Sequence, residues 1–133
     1  MYEDEIIEWI STGTGMAEGT DLQLIDWNQD APDRSAAVMF PGNTIESIAE
    51  LGWVDIRLQI VSRAATWRNA NDDINTIHTF IFIDYKSHVE LPPGIPTFRI
   101  ETIIPESGPF YLGKDVAFRF LFTAIYKLRI RRL

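Results

Sequence analysis

The amino-acid sequence predicts an α+β fold in one domain, with a mainly antiparallel sheet, helices packed on one face and a long C-terminal strand. Three observations predict it. Residues 116–130 place Val116, Phe118, Phe120, Phe122, Ala124, Tyr126, Leu128 and Ile130 on one side and Ala117, Arg119, Leu121, Thr123, Ile125, Lys127 and Arg129 on the other, a sustained period of two whose second face is apolar at Leu121 and Ile125 and basic toward the end. Two segments, one at the start of the chain and one from Asn69, space their apolar residues at helical intervals. Shorter alternating runs lie between and after them, and this order of helix, strands, helix and strands builds a sheet with helices on one side. The length of 133 residues suits a single domain over 1–133, able to bury roughly two-thirds of its unfolded surface.

In chain order, Tyr2, Ile6, Trp9 and Ile10 form one side of a short helix, with Glu3, Asp4 and Glu5 at its positive end. The helix stops in Ser11-Thr12-Gly13-Thr14-Gly15. Asp21 to Trp27 alternates as a first strand, Asn28 to Asp33 is a polar turn, and Ser35 to Phe40 is a second strand closed by Pro41-Gly42-Asn43. Thr44 to Gly52 reads equally as a helical turn or a loop. Trp53 to Arg63 alternates apolar Val54, Ile56, Leu58 and Ile60 with Asp55, Arg57, Gln59 and Arg63, a strand with one wet face.

After a link at 64–68, Asn69-Ala70-Asn71-Asp72-Asp73 supplies a helix start, and Ile74, Ile77, His78, Ile81 and Tyr85 form its buried stripe, widened by Phe80 and Phe82. This helix ends near Lys86-Ser87-His88. Thr97 to Ile104 is a strand, and residues 105–115, with two prolines and two glycines, read as a long hairpin loop before the last strand. At about 3.3 Å per residue that last strand spans roughly 50 Å, longer than the ~35 Å width of a compact domain this size. It therefore bends at a bulge or reaches a neighbouring subunit.

Composition excludes several functions. With no cysteine, thiol catalysis, cysteine-ligated zinc and disulfides are absent. No apolar run approaches a membrane span and the first residues are acidic, so a soluble, intracellular chain is expected. The net charge of −7 argues against general nucleic-acid binding. Its distribution is uneven: residues 1–50 hold 11 carboxylates and one base, a net of −10, whereas residues 51–133 hold 8 carboxylates and 11 bases, a net of +3. In a head-to-tail oligomer that asymmetry sets unlike charges across each contact.

Catalytic constellations are scarce. His78 and His88 belong to no metal-ligand pattern, and Gly13 with Gly15 follows a helix where a dinucleotide motif would follow a strand. Asp72-Asp73 could hold magnesium, but a helix start explains them without it. A small hydrolase-like domain using Asp72, Asp73 and His78 is a distant alternative. Lys127, Arg129, Arg131 and Arg132 could meet phosphates, yet they lack interleaved aromatics and suit a solvated or subunit-facing edge. Trp67, Phe110 and Tyr111 fall in predicted loops, either at the core margin or as contact anchors.

Taken together, the N-terminal helix, the strand ending Trp27-Asn28-Gln29-Asp30-Ala31-Pro32, the apolar Ala36 to Phe40, the strand Asp55 to Arg63, the Asn69 to Asp73 helix start and Leu112-Gly113-Lys114-Asp115 before Arg119 carry a resemblance. Over nearly its whole length the chain resembles the tail terminator (minor capsid) proteins of long-tailed bacteriophages. The resemblance implies a virion protein, assembled in the host cytoplasm, that forms a hexameric ring on the tail tube, stops its polymerisation and presents the head-docking surface. It implies no enzyme activity and no cofactor. The implied partners are copies of itself, the tail tube protein and a head-completion connector, with no membrane and no sequence-specific nucleic acid, DNA only passing through the ring. In that setting Arg63, Trp67, Phe110, Tyr111 and Asp115 are contact candidates, with Lys127, Arg129 and Arg131 pairing to the acidic half of a neighbour. A head-completion or neck protein of the same virion is the nearest alternative.

Overall fold

The computed structural model describes residues 2–24, 31–41, 45–48, 53–83 and 89–133. Helix α1 spans Tyr2–Thr14; β1 (Leu22–Leu24), β2 (Ser35–Met39), β3 (Ile45–Ile48) and β4 (Trp53–Ala64) follow. Helix α2 (Trp67–His78) continues into a π-helical turn at Thr79–Ile83, and β5 (Val89–Leu91), β6 (Phe98–Lys114) and β7 (Phe120–Arg132) complete the chain. Mixed α and β elements thus form one unit. The sheet runs β1-β2-β4-β7-β6-β5, with β3 paired to the start of β4. Among the described strands, every pairing is antiparallel except β1 with β2.

Alternation decides which face is buried. Ile56, Leu58 and Ile60 of β4 lie opposite Leu128, Tyr126 and Ala124 of β7, and all six join one apolar cluster with Ile6, Ile7 and Ile10 of α1 and Ala70, Ile74 and Ile77 of α2. Both helices therefore cover the same face. The reverse face carries Asp55, Arg57 and Gln59 opposite Arg129, Lys127 and Ile125, and it is polar at one end. Farther along, Val61 and Thr123 are buried on that face too, with the Thr123 hydroxyl donating to the Ile60 carbonyl at 3.0 Å.

Several boundaries move from their sequence-based positions. Thr66, rather than Asn69 to Asp73, caps α2: its hydroxyl accepts from the Asn69 N–H at 3.2 Å, so Asp72 and Asp73 sit inside the helix. Asp73 instead forms a two-pronged pair with Arg34 at 2.9 and 3.0 Å, tying α2 to the entrance of β2. Residues 45–48 are a strand, neither helix nor loop. The rest of the first strand, Trp27 included, and the helix end near Tyr85 to His88 lie outside the described residues.

The largest correction is at 105–115. Residues 105–114 are no loop but the second half of β6, paired to β7 as far as Lys114 opposite Phe120, and only Asp115 lies beyond the strand. Register shifts between Pro105 and Ser107, Ser107 and Phe110, and Tyr111 and Gly113 absorb the prolines and glycines, with Gly108 and Gly113 at φ of 79° and 123°. The final strand correspondingly begins at Phe120, not Val116. It is 13 residues long, and β4 accompanies it from Trp53 opposite Arg131 to Ala64 opposite Phe120. Its length is thus held inside the chain's own sheet.

Candidate assembly surface

The end of the β6–β7 hairpin concentrates exposed apolar side chains. On the helix side, Phe122 sits between Trp67, whose ring centroid is 5.2 Å away, and Tyr111 at 5.4 Å; Trp67 and Tyr111 remain half-exposed. Tyr111 also approaches Phe120, and the Lys114 ammonium lies 4.5 Å over the Phe120 ring. Phe110 lies opposite Thr123 and Tyr111 opposite Phe122, so Phe110 is on the reverse face, half-exposed with Ile104 and Leu112. Of the three predicted aromatic anchors, Trp67 and Tyr111 therefore come together and Phe110 stands apart.

Beyond the strands, the tip is a tight turn organised by Asp115. Its carboxylate accepts from the backbone N–H groups of Ala117 and Arg119 at 2.9 and 3.0 Å and from the Arg119 Nε at 2.7 Å, while Arg119 also reaches Asp33 at 3.3 Å. Phe118 adopts φ of 62°, a left-handed conformation that costs a bulky residue of the order of 1–3 kcal/mol. This turn presents Val116, 98% exposed, and Phe118, 77% exposed, to solvent. Simple alternation assigned both to the buried side of the last strand; the carboxylate of Asp115, three residues before Phe118, was the signal of a turn.

At the other end of the hairpin, α1, the π-helical turn and the segment after β5 enclose a cleft of about 270 Å³. Trp9 and Phe80, with ring centroids 4.9 Å apart, form its apolar wall together with Leu91 and Pro92, and Glu5 and Glu8 stand at its margin. A Cβ on Gly13 would fall 2.0 Å from the Phe80 ring, so Gly13 is what lets that ring lie against α1. Glu5 Oε2 is shielded from solvent and, among the described residues, accepts no hydrogen bond.

The charged candidates divide. Arg63 is only 6% exposed; it donates to the Ser35 hydroxyl at 3.3 Å and to the Ala31 and Pro32 carbonyls at 3.3 and 3.1 Å. It braces the entrance to β2 and is not available as a surface contact. Arg129 makes a two-pronged pair with Asp55 at 2.9 and 3.1 Å and lies over the Trp53 ring, and Lys127 approaches the same carboxylate at 3.6 Å. Both cations are thus engaged within their own subunit, while Arg131 is exposed.

The Arg129 hydrogen bond, against the opposing effect of burial, holds the Asp55 carboxyl below its ordinary value. A depressed folded-state pKa stabilises the fold above the unfolded value of about 3.9 and loses that contribution as pH falls through the folded value. Differential scanning calorimetry should therefore show the melting temperature falling less steeply below pH ~4 in Asp55→Asn than in the wild type. Identical acid slopes would contradict this assignment.

No protein-family model matches the chain, and no curated protein matches it. Its function is therefore read from its surface. Asp73 faces Arg34, whereas His78 Nδ1 lies 2.6 Å from the Tyr126 hydroxyl, so the two point to different parts of the fold. Five residues apart on a helix, they are separated by roughly 140°. Among the described residues, no three His, Asp or Glu side chains are placed to share a metal ion, and no helix is long and apolar enough to cross a membrane.

Proposed function

We propose that this chain is a structural virion protein, a tail terminator that assembles with copies of itself into a ring, caps the tail tube and offers the surface to which the head docks. One observation carries the reading beyond resemblance: the hairpin end exposes Trp67 and Tyr111 on one face, Phe110 on the other and Val116 with Phe118 at the tip. Exposed apolar surface concentrated in this way marks a site that another macromolecule covers. The opposed charges of the N-terminal and C-terminal parts favour a contact between unlike surfaces, the kind that closes a ring. Action is stoichiometric: one ring stops one tube, with no turnover and no cofactor. The ring belongs to the virion at the junction of tail and head.

The test is tube assembly in solution. Purified chain added to polymerising cognate tube protein is expected to stop elongation and to appear by electron microscopy as a ring at one tube end. Tubes of unchanged length without a terminal ring, together with binding to the head connector, would replace this reading by that of a neck protein.

A further inference from the structure

We infer that the hairpin tip of one copy, led by Phe118, seats in the cleft between α1 and the π-helical turn of a second copy. The inference rests on the proposed self-assembly and names the contact that builds it. Three features of the chain match. Phe118 is a preformed knob: it is exposed, and its left-handed backbone is held in place by the hydrogen bonds to Asp115. Backbone strain maintained at a solvent-facing aromatic points to a role outside its own subunit. The cleft is the complementary hole: about 270 Å³, open to solvent and walled by the apolar side chains of Trp9, Phe80 and Leu91.

Charge also matches. Lys114, its ammonium over the Phe120 ring, stands beside the knob, whereas Glu5 and Glu8 border the hole; Arg119 is already bound to Asp115 and Asp33 of its own subunit. Glu5 Oε2, shielded and without a hydrogen bond among the described residues, would gain a cationic donor from the incoming tip.

Position then sets the symmetry. The knob follows Lys114 opposite Phe120, whereas Leu91 of the hole is carried by Phe98 opposite Arg132. The two lie at opposite ends of one hairpin, roughly 40 Å apart at about 3.3 Å per residue. Knob and hole are thus different surfaces, and their union is head-to-tail, repeating until it closes. A buried aromatic contributes roughly 150–250 Å², far below the ~800 Å² per partner of a standard interface, so a single contact is weak. Closure, in which each copy engages twice, is what accumulates.

The absence of cysteine makes the test direct. A Val116→Cys chain, which keeps Phe118 and places the thiol at an exposed position of the same tip, is mixed with Thr12→Cys, on the α1 side of the cleft, or with Arg57→Cys, on the opposite face of the sheet, and oxidised. Cross-linking to Thr12→Cys is expected to be at least about ten-fold faster, because a held contact raises the effective concentration. Phe118→Gly is expected to raise the melting temperature, since glycine relieves the left-handed turn, and yet to lower the assembled mass; a merely misfolded variant would not separate these two effects. Equal cross-linking rates at Thr12 and Arg57, or an assembled mass that Phe118→Gly leaves unchanged, would overturn the contact even if the ring itself stands. Cross-links that form as expected in a chain that never caps a tube would instead overturn the tail reading and leave the contact standing.

Discussion

Tyr126→Ala should lower the stability of the chain by about 3 to 5 kcal/mol, the range for removing a large aromatic from a core that collapses only in part. Tyr126 is fully buried at the middle of β7, opposite Leu58 on one side and Pro105 on the other. It also links sheet to helix, because its hydroxyl lies 2.6 Å from His78 Nδ1 at the end of α2. Burial pushes the Tyr126 phenol well above its ordinary range and the His78 ring below its own, so both are neutral at pH 7 and share a single hydrogen bond. Tyr126→Phe keeps the ring and deletes only that bond, and the expected cost is about 1 kcal/mol. Urea unfolding of the two variants separates packing from hydrogen bonding. Equal losses would mean that the hydroxyl, and not the ring, carries the contribution.

Arg63→Leu should cost about 2 to 4 kcal/mol, from charge-assisted hydrogen bonds to two carbonyls and a hydroxyl together with the packing of its stem. The guanidinium is enclosed by Ser35 and by the carbonyls of Ala31 and Pro32, which leaves it no face for a neighbour. The variant's assembled mass in the cold, where the fold persists, is expected to match that of the wild type. A variant that melts normally but fails to assemble would restore Arg63 to the subunit contact.

The periodic parts of the fold were legible in the sequence for a physical reason. In Val54 to Ile60 and Phe122 to Ile130 one face meets the helices, so composition repeats with the pleat. Legibility failed where backbone chemistry interrupts that repeat. Val116 and Phe118 keep the parity of the strand but belong to a turn that Asp115 closes. Pro105, Gly108, Pro109 and Gly113 look like a loop, yet a bulged strand tolerates them, and among the described residues no strand pairs with β6 on its outer side past Ile100. Such an edge is blunted against unwanted pairing by the same residues.

Arg63 has the parity of a wet face, but the chain entering β2 covers it, a long-range event with no local signature. Trp67 and Tyr111 were recognisable as large aromatics in segments that read as loops, although their meeting around Phe122 was not. The cleft was invisible in the same way. It is assembled from α1, Phe80 and Leu91, segments that are far apart in the chain.

Self-assembly into a closed ring is tested most directly by the mass of the purified chain in solution, followed by light scattering across concentration and salt. A single discrete mass near that of a hexamer, reached as concentration rises and lost as salt screens the unlike charges, is the predicted result. A chain that stays monomeric at every concentration, or one whose mass grows without limit, would contradict it.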